Sequence, residues 1–461
     1  MTHVWTLRSV GLFGLMALTL LVVATPGYFV QAGLLTTLLF VVLFAVLFPE
    51  IVLGAAVFSL VLSPENFYLP TNFVAQHFGG LTVHSVHKLL FLVAVIPSVL
   101  RLRFKFDLNP GAVAMGLLVV ISFVFSTTFP ELTNSQTIRS IIALALPFLF
   151  FSLVVRPYEI DRFLLLIALL PIASLVIGFV FQLLAVEDVF RRTWHVLSLE
   201  FTGATRLRGV NIAAYLAYFC FISYFVCLYQ ALVYNRRLYY VIGALVLIIL
   251  FFTGTRTPTA LVVLMSGMAI LFTGSGDLNV RSKFGLSVIG IMFVSILLAL
   301  YWPNLEARMF NNEFEGGIFN TSGRQAIWPI FQEAIAVNPL FGRGLGTGAI
   351  ILLLDQRTEV ASAHNEYLRL LVDVGIVGLI IYAVGLVACT LRERKYYDRS
   401  QWTMFIAVLL ALAAYSYTDN TLTSPPTLVL FFAISLFVQK ARYEKEGYYD
   451  DPYEYTYEDA I

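Results

Sequence analysis

The chain has 461 residues, of which 59% are hydrophobic and 12% charged, about half the charged fraction of an ordinary globular domain. That balance excludes a soluble fold and fits a polytopic membrane protein, because its recurring apolar runs approach the roughly 20 residues needed to cross a bilayer. Twenty-nine basic residues against 28 acidic ones argue against a nucleic-acid partner. Cys220, Cys227 and Cys389 all lie in apolar runs, which leaves neither a disulfide framework nor a Cys-x-x-Cys metal site.

In chain order, the polar breaks predict spans at 10–24, 28–48, 51–62, 88–100, 112–125, 139–155, 163–186, 211–233, 239–252, 258–273, 284–301, 369–390, 402–418 and 425–439. The first is read as a span, since no small-x-small cleavage site follows it. The expected fold is all-α, with 12–14 transmembrane helices. Alternate loops then form two sets. The termini and the loops 101–107, 156–162, 234–238, 274–283 and 391–399 hold 17 of the 29 Lys and Arg in the smaller share of sequence. The positive-inside rule places that set, with both termini, in the cytoplasm. The other set is 63–87, 126–138, 187–210, 253–257 and the long loop 302–368. It faces outward, and its cations are Arg apart from Lys88. Arginine stays charged and grips phosphate bidentately. Residues 1–439 thus form the transmembrane domain, and 440–461, Tyr-rich and acidic at its end, a disordered cytoplasmic tail.

The outer loops carry the chemistry. Thr253-Gly254-Thr255-Arg256-Thr257-Pro258 is a short turn into a helix with Pro in its first turn, confining Arg256 at the interface. Arg206 and Arg208 precede the span at Asn211, while Arg139 and Lys88 each open an outer helix. In the long loop, Ser322-Gly323-Arg324-Gln325 contains a capping box that starts a helix at about Gly323; Asn338-Pro339 ends it. Arg324 falls in its first turn, where free backbone N–H groups favour an anion. Gly342-Arg343-Gly344-Leu345-Gly346-Thr347-Gly348 reads either as a phosphate cradle without the P-loop Lys or as a turn of the chain. Ala363-His364-Asn365-Glu366 opens the next span. The helix dipole there favours a neutral ring able to accept a proton, as a general base must. Asp373 lies deeper in that span, four residues after Arg369, and the two read as an ion pair. Gly375 and Gly378 read as helix-packing residues. No His-Glu-x-x-His or similar cluster suggests a catalytic metal; His77, His84 and His87 are poorly spaced for one. No cofactor is expected.

His364-Asn365, nine residues, then Gly375-Ile376-Val377-Gly378 resembles a pattern of bacterial O-antigen ligases, and the whole chain resembles the O-antigen ligase and polymerase superfamily. Ser322-Gly323-Arg324 with Trp328 four later, Gly342 to Gly346, Arg256 and Arg208-Gly209 add to the likeness, which runs from about 200 to 380. The family often has Asn-Pro-Asn after the Arg-Gly, where only Asn211 remains here. The resemblance implies a GT-C-like, metal-independent glycosyltransferase that takes a saccharide from a polyprenyl-diphosphate donor. The acceptor would be a hydroxyl of a glycan, lipid A core or other molecule at the outer face of the bacterial inner membrane. It assigns the catalytic role to His364 and the diphosphate to Arg256, Arg324 and Arg208, with Asn365, Lys88, Arg139 and Asp373 as candidate supporting residues. Family members include ligases, polysaccharide polymerases and protein O-oligosaccharyltransferases. A polysaccharide transporter is a more distant reading, because the span interiors carry little charge.

Overall fold

The structure, a computed structural model, describes residues 49–60, 110–127, 129–150, 155–183, 196–199, 204–210, 212–272, 280–310, 324–354, 363–424 and 426–447. The expected spans 10–24, 28–48 and 88–100, Lys88 and the end of the acidic tail lie outside the described residues. Helices α1 (Pro49–Ser59), α2 (Pro110–Phe125), α3 (Asn134–Phe150) and α4 (Pro157–Leu183) come first. A short antiparallel hairpin follows, β1 (Leu197–Leu199) and β2 (Thr205–Leu207), with Ser198 opposite Arg206. Then come α5 (Ala213–Val233), α6 (Arg237–Phe252), α7 (Arg256–Phe272), α8 (Val280–Phe310), α9 (Arg324–Val337), α10 (Thr347–Leu354), α11 (Glu366–Glu393), α12 (Arg399–Ser416) and α13 (Pro426–Lys445).

The protein is an all-α polytopic membrane protein. Among the described residues four helical stretches are long and apolar enough to cross a bilayer: α4, α5, Ser287–Asn304 within α8, and Glu366–Tyr396. Helices begin a few residues before the apolar runs that predict them, because their polar first turns belong to the helix. α4 starts at Pro157, whose fixed φ and missing N–H suit the first helical position. α12 is capped by Asp398, whose carboxylate accepts from the Gln401 N–H at 2.7 Å. The hairpin and α10 are additions to the predicted elements. Strands of three residues carry too little alternation to be read, and α10 lies where a glycine-rich turn is expected.

α5 and α13 fill the centre. Every residue from Pro426 to Ala441 is buried, and α13 packs against α3, α4 and α5. Tyr218, Phe221 and Tyr415 meet edge-on or tilted between α5 and α12. Ser223 hides its hydroxyl by donating to the Ile167 carbonyl at 2.6 Å, as a buried polar group must.

Polar loops gather at opposite ends of the bundle. At one end Asp161 accepts from Arg236 and from Lys440, each at 2.6 Å, Glu444 accepts from Tyr234 at 2.9 Å, and Arg442 pairs with Glu393 at 2.8 Å. This joins 156–162, 234–238 and 391–399, all from the basic set, to the last turns of α13. That helix runs to Lys445, into the segment expected to begin the tail. At the other end Thr127 N donates to the Gly342 carbonyl at 3.2 Å, and Arg206 ties the hairpin to the turn before α7 through the Thr253 carbonyl at 2.6 Å and Thr255 Oγ1 at 2.8 Å.

α11 is two helices. Gly375 has φ 65° and ψ −171°, a conformation open essentially to glycine, and there the segment 339–344 docks. Ile376 N and Val377 N donate to the Pro339 and Leu340 carbonyls at 2.9 and 3.1 Å, while Arg343 N and Gly344 N donate to those of Val372 and Asp373 at 2.7 and 2.9 Å. The break thereby leaves these main-chain groups partnered, which an apolar environment requires. Beyond it Ile376, Ile380, Val384, Val387 and Leu391 form an exposed apolar stripe. From Ile376 to Glu393 the helix spans about 27 Å, close to the roughly 30 Å hydrocarbon thickness.

Candidate functional site

His364 sits in the left-handed region, with φ 46°, uncommon for a residue with a side chain. Its neighbours fix that turn. Asn365 caps α11, its Oδ1 accepting from the N–H groups of Tyr367 and Leu368 at 3.0 and 3.1 Å. On the other side Trp328 of α9 donates its indole N–H to the Ala363 carbonyl at 3.3 Å. Held this way, His364 Nδ1 lies 3.2 Å from Oδ1 of Asp419, in the loop between α12 and α13. Both side chains are partly exposed. A ring donating Nδ1–H to Asp419 leaves Nε2 as the acceptor nitrogen.

Asp419 is the residue that sequence reasoning missed. Its loop is a brief polar break, Tyr417 to Ser424, with no cation to draw the eye. The loops expected to face outward hold 12 other Asp and Glu, so the carboxylate alone does not mark it out. Tyr367 Oη donates to the Ala413 carbonyl at 2.7 Å, a second tie between the start of α11 and the last turn of α12.

The arginines arrive on separate elements. Arg324 is the first residue of α9, one turn before Trp328. α9, α10 and the first half of α11 share a small core of their own, with Ile327, Phe331, Ile351 and Val372, so the backbone positions of Arg324 and His364 belong to one packed unit. Arg256 is the first residue of α7, and α7 packs along α12, whose end leads to Asp419. Arg208 follows β2, its N–H donating to the Val196 carbonyl at 2.8 Å. Next to it Gly209, at φ 61°, lies so close to α4 that a Cβ would come 2.6 Å from the Ser174 hydroxyl.

Asp373 belongs to a different group. The Asp373 carboxylate accepts from Gly348 N at 2.7 Å and Arg369 at 2.9 Å, from the Gly346 N–H, and from Ser140, the neighbour of Arg139, at 3.4 Å. Arg369 also pairs with Glu366, making a buried triad in place of the simple pair. Of the two readings of the glycine-rich segment, the turn is the observed one: the anion that its backbone N–H groups meet is Asp373 of the same chain. Gly375, expected as a packing residue, is the helix break. Gly378 does pack closely, a Cβ there lying 3.2 Å from Leu118. Among the described residues no three His, Cys, Asp or Glu are grouped to hold a metal ion. An apolar cavity of about 720 Å³ between α5, α6, α7 and α8 is lined by none of the candidate residues.

Residues 241–383 match the family model described as O-Antigen ligase. That match supports the resemblance to the O-antigen ligase superfamily. The matched part takes in Arg256, Arg324, His364, Gly375 and Gly378 and leaves out Arg208 and Asp419. No curated protein matches the chain. The O-antigen ligase match points to glycosyl transfer involving a glycan and a lipid-linked substrate in general, and with the apolar helices to the inner membrane.

Proposed function

We propose that this protein is an O-antigen ligase-like, inverting glycosyltransferase that moves a saccharide from a polyprenyl-diphosphate donor to an acceptor hydroxyl at the outer face of the inner membrane. The pairing of His364 with Asp419 at 3.2 Å carries the reading. Nδ1–H donates to Asp419, so Nε2 takes the proton of the acceptor hydroxyl. The oxygen attacks the anomeric carbon, the bond from that carbon to the diphosphate oxygen breaks, and polyprenyl diphosphate leaves with the electron pair. Arg256, Arg324 and Arg208 neutralise the charge on the leaving group, the kind of fixed electrostatic stabilisation that supplies much of an enzyme's rate. Asp419 is a positioning residue in this scheme, and Asn365, as the cap of α11, holds the backbone that carries His364.

The test uses purified protein, with donor and lipid A core extracted from the source cells. His364→Ala should lower kcat by about 10²–10⁴-fold, the usual worth of a general base, with normal yield in the membrane. Asp419→Ala should lower kcat with the acceptor KM nearly unchanged, as a residue acting only through His364 would. Wild-type-like turnover in His364→Ala removes the histidine from the reaction.

A further inference from the structure

Trp328 and Tyr417 are each joined to the segments that hold His364, and neither has a part in the proton transfer. The indole of Trp328 is anchored by its edge to the Ala363 carbonyl, one residue before His364. Tyr417 lies two residues before Asp419, the partner of His364. The two rings meet at 5.9 Å with an interplanar angle of 66°, forming a corner of two aromatic faces. Each side of the corner is thus tied to the histidine, one through Ala363 and the other through Asp419. Tyr417 is 54% exposed and Trp328 is partly so, although α9 has a buried face available for large apolar side chains. With its N–H already bonded, Trp328 offers a ligand its ring face.

We propose that this corner is a saccharide subsite that seats the pyranose ring bearing the attacking hydroxyl beside His364. The proposal rests on the reading of His364 as the base. A pyranose has a face of C–H groups and an edge of hydroxyls. The C–H face covers an aromatic ring with little loss of hydration, while the edge stays free to bond elsewhere; amphipathic rings suit such half-wet sites. The position next to the base selects the acceptor sugar over the donor, whose diphosphate is assigned to the arginines. It also names the acceptor class: a sugar hydroxyl, in preference to a serine or threonine of a protein, which has no ring to stack.

The experiment varies the lipid A core at saturating donor in the purified assay. Tyr417→Leu, at an exposed position, should raise the acceptor KM about fivefold to tenfold, the range of one aromatic contact, with kcat and donor KM little changed. Tyr417→Phe keeps the ring and should recover most of the acceptor KM lost in Tyr417→Leu. Trp328→Phe loses the bond to Ala363 and should lower kcat as well. A Tyr417 that merely anchors the protein at the interface would leave the acceptor KM unmoved in Tyr417→Leu. That result, with His364→Ala inactive in the same assay, overturns the subsite and leaves the reading of His364 intact. A rise in donor KM instead overturns the acceptor assignment. Activity surviving in His364→Ala overturns the base and, with it, the subsite.

Discussion

An arginine at the boundary of a membrane can anchor a helix or grip an anion, and lysine separates the two roles. Lysine keeps the charge and loses the planar fork that matches a phosphate. If Arg256 and Arg324 hold the diphosphate, each changed to Lys should lose at least about tenfold in kcat/KM, one charge-assisted contact. Arg191→Lys, in the expected outer loop 187–210 and outside the described residues, should stay near normal. The same purified assay should run unchanged in EDTA, since the proposed stabilisation comes from protein cations. Normal turnover in both Lys variants would place the diphosphate elsewhere. Sequence reasoning reached His364 and these arginines because each sits at a helix start, where residue type and position combine into a chemical argument. It did not reach Asp419, because that contact crosses 55 residues and the whole of α12.

Hydropathy made the helices legible, since apolar runs of membrane length have few other uses. It could not show the break in α11. Glycine in an apolar helix reads as a packing residue, and only the docking of 339–344 gives Gly375 its positive φ. A Cβ at Gly375 would collide with the Leu340 backbone and strain a residue at φ 65°. Gly375→Ala should therefore cost at least about 2 kcal/mol, read as a lower Tm of the solubilised protein. Gly116→Ala is the control: it lies in α2 with nothing within 4 Å of an added Cβ, and alanine favours a helix, so no loss is expected. Equal Tm values for the two variants would mean that the loop and α11 do not depend on each other. The buried triad of Glu366, Arg369 and Asp373 was half legible. The i,i+4 pair follows from spacing, whereas the glycine loop that completes the shell of Asp373 follows from tertiary packing alone.

At the scale of the molecule, the described loops of the two sets that charge counting separates gather at opposite ends of the bundle. If the basic set is cytoplasmic, single cysteines at 310 and 355 should react with an impermeant thiol reagent from outside, and those at 235 and 396 should not. Native Cys220, Cys227 and Cys389 are buried and should stay silent. The reverse pattern would turn the candidate site to the cytoplasm. The central place of α13 bears on how the protein is made. Among the described helices it is the last to leave the ribosome, yet it packs against α3, α4 and α5, which are inserted long before. Throughout synthesis of the intervening residues, the seat it will occupy must be filled by lipid tails or by a membrane chaperone. The packing of α3, α4 and α5 is therefore completed only once α13 has been inserted, and a chain released before α13 would lack that packing.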